Sequence, residues 1–99
     1  MPEVRLRVER RQVIGAEESL ASARARIDAI DTDLATLLRE RLEVACLAAD
    51  AKACMGLQVF DAERERAVIE RQSHHIVRAI FASIVSETRE FAKRHANQL

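Results

Sequence analysis

Ninety-nine residues, 48% hydrophobic and 32% charged, suit one small domain near the low end of what a single core stabilises alone. Two glycines, one proline and three aromatic residues argue against a sheet protein and for long amphipathic helices around a thin aliphatic core. Sixteen basic and sixteen acidic residues cancel, so nothing in the charge balance calls for nucleic acid or an anionic membrane as partner.

Residues 1–16 alternate apolar and charged side chains (Val4, Leu6, Val8 against Arg5, Arg7, Glu9) and end at Gly15. The alternation is strand-like, but an isolated strand has nothing to pair with. The reading is a flexible or partner-contacting N-terminal arm over 1–16, basic across 4–12, followed by a helical domain over 17–99. The N-terminus is charged without an apolar run, so no secretory signal is expected. No segment approaches the roughly 20 apolar residues of a membrane span.

From Glu17 the pattern becomes helical. Leu20, Ala23, Ile27, Ile30, Leu34, Leu37, Leu38, Ala45, Ala48 and Ala49 recur at three- and four-residue steps, with no glycine or proline before Gly56. One helix of nearly forty residues, about 55–60 Å long, is implied. It exceeds the diameter of a small domain and cannot bury its apolar stripe within one protomer, so a homodimer is expected. Asp31, in mid-helix, is expected to form a salt bridge. Cys46 and Cys54 lie about 800° apart on that helix. They read as separate small or half-buried thiols, without metal or disulfide, in a reducing cytoplasm.

Residues 56–60 break the helix. Asp61 stands where an N-cap belongs, with Glu63 in the first turn, and predicts a second helix over roughly 62–72. Ser73 is the expected cap of a third, whose apolar stripe runs through Ile76, Val77, Ile80, Phe81, Ile84, Val85, Thr88 and Ala92. His74 and His75 are expected to point apart as surface residues at its start.

The polar residues near the apolar stripe carry the chemical information. Arg41 and Lys52 are about 1100° apart, close to a whole number of turns, and share a face with Leu38, Ala45 and Ala48. Either they are surface cations with snorkelling stems, or they meet an anion, because cations beside an apolar face are otherwise costly. Arg24 lies about 100° off that face and suits a pocket on a neighbouring copy. Asp61, Arg64 and Glu65 share one face of the second helix, as a cap with solvated charges or as the wall of a site.

Taken in register, Arg24, Asp31, Leu34, Leu37, Leu38, Arg41, Lys52, Gly56, Val59, Asp61, Arg64 and Glu65 resemble the signature of the helical chorismate mutases over about residues 20–72. That resemblance implies an all-α fold of three helices per protomer with a very long first helix, in an intertwined homodimer. It implies conversion of chorismate to prephenate by positioning and electrostatic stabilisation, with no cofactor and no metal. Arg24 of one protomer and Arg41 of the other would grip the substrate carboxylates by forked, charge-assisted bonds. Lys52 would donate to the ether oxygen, and Glu65 would accept from the ring hydroxyl, with Asp61 and Arg64 completing that wall.

The third helix departs from the family's pattern of a Ser and, four residues on, a Gln. Aligning on Phe81 and Ile84 places Thr88 and Ala92 there, and Ala92 donates nothing; a two-residue shift places Ser86 and Glu90 there instead. Gln58 and Ala62 stand where the family often has prolines. A second reading is therefore a poorly active or non-catalytic regulatory module that binds chorismate or docks on another shikimate-pathway enzyme through its arm. A third is a relative acting on isochorismate or an amino-substituted chorismate, against which Arg64 and Glu65 argue.

Overall fold

The structure, a computed structural model, describes residues 15–98. Among the described residues there are three helices and no strand: α1 (Ala16–Cys54), α2 (Ala62–Glu70) and α3 (His75–Asn97). The all-helical architecture and the very long first helix match expectation. Most of the arm placed at 1–16 lies outside the described residues.

Gly15 precedes α1 with φ 74°, and its carbonyl accepts from the Ser19 amide at 2.9 Å. Glu17 and Glu18 occupy the positive end of the helix dipole. Two mid-helix threonines avoid competing with the backbone by donating to carbonyls one turn back, Thr32 to Asp28 and Thr36 to Thr32. Asp31 makes no ion pair among the described residues, contrary to expectation, since no basic side chain stands three or four positions away on its helix.

Two units are distinguished, Met1–Thr36 and Leu37–Leu99, with the boundary inside α1. In the first, every described residue is exposed, including Leu20, Ile27, Ile30 and Leu34, each with about half its surface open. The second holds the core, which is small: Ala49 from α1, Val68 from α2, and Val85 and Ala92 from α3 are its fully buried residues. Ala49 and Ala92 add little volume to this core, and each buried valine contributes roughly 1.5–3 kcal/mol. The Asp50 carboxylate and the His95 ring, 2.9 Å apart, link α1 to the end of α3.

The end of α1 is built to place a connector. Gly56 adopts φ 73°; its amide donates to the Ala53 carbonyl and the Leu57 amide to the Lys52 carbonyl at 2.8 Å. These paired bonds are a Schellman C-cap, which requires the left-handed residue at Gly56. Asp61 caps α2 as expected, its Oδ1 accepting from the Arg64 amide at 3.0 Å. The helix stops at Glu70, slightly before the expected 72, where the Gln72 side-chain amide takes the Val68 carbonyl.

The cap of α3 is His74 rather than Ser73: its Nδ1 accepts from the Ile76 amide at 3.1 Å. The Arg78 guanidinium crosses the same turn and donates to the Gln72 and Ser73 carbonyls, which holds Ser73 outside the helix. His74 and His75 do not point apart; their rings stack with centroids 4.9 Å apart. His74 has extended backbone (φ −94°, ψ 131°), so the 100° helical step that would separate the rings does not apply.

Candidate functional site

A cavity of about 500 Å³ opens in the second unit, lined from α1, the connector, α2 and α3. Its α1 wall presents Leu37, Arg41, Val44, Ala45, Ala48 and Lys52, which recur at three- and four-residue steps. Leu37, not the expected Leu38, opens this row. Leu37 stands one full turn before Arg41, whereas Leu38 is a further step of about 100° round the helix.

Arg41 and Lys52 are both half-buried at this wall. The Arg41 Nη1 donates to Thr88 Oγ1 at 2.9 Å, and the Lys52 Nζ donates to the Val59 carbonyl at 3.0 Å. Among the described residues neither has a carboxylate partner. Neutral oxygens orient the two side chains but leave their charge uncompensated, and partly dehydrated cations favour an anion at the same place. Lys52 also anchors the connector through its own carbonyl, so the C-cap that ends α1 and the bond that aims the ammonium are built on one residue.

The second wall comes from the start of α2. Asp61, Arg64 and Glu65 line the cavity together, as their spacing predicts. Asp61 is committed to the cap, and Arg64 is exposed. Glu65 is half-buried; its Oε1 accepts from Arg89 Nη1 at 2.7 Å, the shortest ion pair among the described residues.

From α3 come Val85, Thr88, Arg89 and Ala92. Of the two pairs of positions that the sequence left open, one lines the cavity. Thr88 and Ala92 face the cavity, whereas Ser86 and Glu90 lie off it and bond to Arg89 instead. At these two positions α3 contributes one hydroxyl, already engaged by Arg41, and a buried methyl group.

Sequence reasoning missed Arg89 and Glu40, both of which line the cavity. A signal for Arg89 existed: it follows Val85, a core residue, by one helical turn. Its guanidinium also lies over the Phe60 ring, 5.0 Å from the centroid. The hydrogen bond to Glu90, reinforced by the charges of Glu65 and Glu90 and opposed by partial desolvation, holds its pKa above the ordinary arginine value. Arg24 stands exposed on α1 within the first unit.

The cavity's balance is four cationic side chains (Arg41, Lys52, Arg64, Arg89) against three carboxylates (Glu40, Asp61, Glu65). Two of those carboxylates are engaged elsewhere, Asp61 by the α2 cap and Glu65 by Arg89. The arrangement suits a small anionic ligand that carries an apolar ring against Val44, Ala45, Ala48 and Val85. Among the described residues no group of three or more His, Cys, Asp or Glu side chains is placed to hold a metal ion, and no helix is long and apolar enough to cross a membrane.

Residues 23–93 match the family model of chorismate mutase type II. No curated protein and no solved structure matches the chain.

Proposed function

The chain belongs to the chorismate mutase type II family, and from that premise we propose that it is an isomerase converting chorismate to prephenate. The observation that carries this reading is the pair Arg41 and Lys52: half-buried cations on one cavity wall, each oriented by a neutral oxygen and, among the described residues, each without a carboxylate partner.

The reaction is unimolecular. The ether carbon–oxygen bond of chorismate breaks as a carbon–carbon bond forms between the enolpyruvyl arm and the ring, in one cyclic step. It needs no nucleophile and no proton transfer. Catalysis then consists of holding the arm over the ring and stabilising negative charge that develops on the ether oxygen. Lys52 is the donor to that oxygen. Its tie to Val59 keeps it in place before the ligand arrives, so little reorganisation accompanies the reaction. Arg41, braced by Thr88, holds one substrate carboxylate. Glu65 accepts from the ring hydroxyl, and Asp61 and Arg64 complete its wall.

Arg24 completes the site from a second copy of the chain, in a cytoplasmic homodimer. The half-exposed Leu20, Ile27, Ile30 and Leu34 support this assembly, since an apolar stripe of that length favours burial against another copy.

A second reading has an observation of its own. Ala92 is buried at the cavity wall and offers no hydrogen-bond donor, and an absent donor in such a site costs on the order of 100- to 1000-fold in rate. The chain would then be a weak or non-catalytic module that binds chorismate or docks on another shikimate-pathway enzyme.

One assay separates the two: loss of chorismate absorbance on adding the purified chain, with prephenate identified as product. Turnover establishes the mutase. Saturable chorismate binding without turnover establishes the module. Neither binding nor turnover overturns both.

A further inference from the structure

Arg89 is the cationic cavity residue to which the proposed reaction gives no task. Every nitrogen of its guanidinium has a protein partner: Nη1 on Glu65 Oε1 at 2.7 Å, Nε on Glu90 Oε2 at 3.2 Å, and Nη2 near Ser86 Oγ at 3.5 Å. The group is further held over the Phe60 ring. Three of its five N–H donors are thus directed at protein oxygens, one from each nitrogen, which fixes the plane of the group against Glu65 and Glu90. What it does reach is Glu65, the one carboxylate of the α2 wall that is not used to cap the helix.

The pairing is asymmetric at Glu65. Oε1 is taken by Arg89, whereas among the described residues Oε2 accepts no hydrogen bond. The free oxygen remains a good acceptor for a neutral hydroxyl, which interacts chiefly with the nearest lone pair. An incoming ammonium is treated differently. It would be attracted by the carboxylate and repelled by the guanidinium beside it, and by Arg64 on the same wall, so the long-range part of its attraction is cancelled.

We propose that Arg89 is a positioning and specificity residue: by neutralising and orienting Glu65 it makes the pocket select a ring hydroxyl over a ring ammonium on ligands that share the same two carboxylates. The proposal rests on the reading of the cavity as a chorismate site. It assigns Arg89 no contact with the reacting atoms.

The test uses the full chain and two ligands, chorismate and its analogue with an ammonium in place of the ring hydroxyl. The readout is the ratio of the analogue's inhibition constant to the KM for chorismate, in wild type and in Arg89→Gln, Arg89→Met and Arg89→Lys, with helicity checked by circular dichroism. Gln and Met should lower that ratio in favour of the ammonium by on the order of five- to tenfold, the scale of a partly exposed charge pair. Lys, which keeps the charge but not the fork, should stay within about twofold of wild type. A merely structural role would weaken both ligands alike and leave the ratio unchanged.

A folded Gln or Met variant with the wild-type ratio overturns the proposal, as does a Lys variant that shifts as far as Gln. Loss of fold in both Gln and Met would assign Arg89 to the scaffold and overturn it too. The two levels stay distinguishable. A wild-type chain that neither binds nor turns over chorismate ends the function reading and this inference with it. A chain that turns over chorismate with a ratio indifferent to Arg89 ends only the inference.

Discussion

The two stretches of α1 carry the same apolar periodicity and meet different fates. Residues 16–36 are exposed at every position, although Leu20, Ile27, Ile30 and Leu34 form a continuous stripe. Residues 37–54 contain buried Ala49 and half-buried Leu38, Arg41, Leu42, Ala45, Cys46, Asp50 and Lys52. Periodicity reports which side chains share a face, and the difference between these stretches is whether other described residues cover that face. Where it is covered, cations on the stripe become informative, because partial dehydration makes their charge costly unless an anion arrives. Where it is not, the stripe itself is the informative feature.

The comparison can be broken most directly at Lys52. Lys52→Ala should lower turnover by about 100- to 1000-fold, the cost of one donor to a developing oxyanion, with helicity unchanged by circular dichroism. Near-normal turnover would remove the covered stretch from the chemistry.

The uncovered stretch is tested by Leu34→Glu. If the stripe is buried against a second copy, the change removes roughly 1.5–3 kcal/mol of apolar burial per protomer and adds a charge. Sedimentation should then report a lighter species than wild type at equal concentration. An unchanged mass would show that residues 16–36 are not an assembly surface.

Arg24→Ala and Arg41→Ala link the two stretches. Each should reduce turnover roughly 10- to 100-fold, as expected for a lost charge-assisted bond. Mixed and allowed to exchange subunits, the two weakened variants should regain activity, because one site of each heterodimer keeps both arginines. Failure to recover after confirmed exchange would place the two residues in the same protomer's site or in none.

The smallest expected effect is at the brace. Thr88→Val keeps shape but removes the oxygen that orients Arg41, and should cost about fivefold, chiefly in KM. A change in kcat alone would mean that Thr88 acts on the reacting atoms.

Much of the fold was legible because helices are local. The absence of glycine and proline between Gly15 and Gly56 announces α1, and Asp61 announces α2 through a bond to a backbone amide three residues on. The failures were local too, and came where a side chain did something uncommon. His74 capped α3 through its ring, and Arg78 laced the turn before it, neither of which residue preferences suggest. Within the site, Arg41, Lys52, Asp61, Arg64, Glu65 and Thr88 were identifiable from spacing and resemblance, and the cavity gathers all six. Arg89 was missed although it stands one turn after Val85, since a charged residue at that spacing reads as solvated until its partners are known.

The sequence by itself determined the helices, their faces and the family, because each depends on interactions within a few residues or on a pattern read along the chain. Tertiary structure decided the register of α3 against α1 and α2. Thr88 and Ser86 lie two residues apart on one helix, and only the packing of Val85 and Ala92 into the core turns Thr88 toward Arg41. It also decided the pairing of Glu65 with Arg89, 24 positions apart. Spacing along a chain determines direction on one helix; which charge lies opposite depends on how a second helix is packed against it.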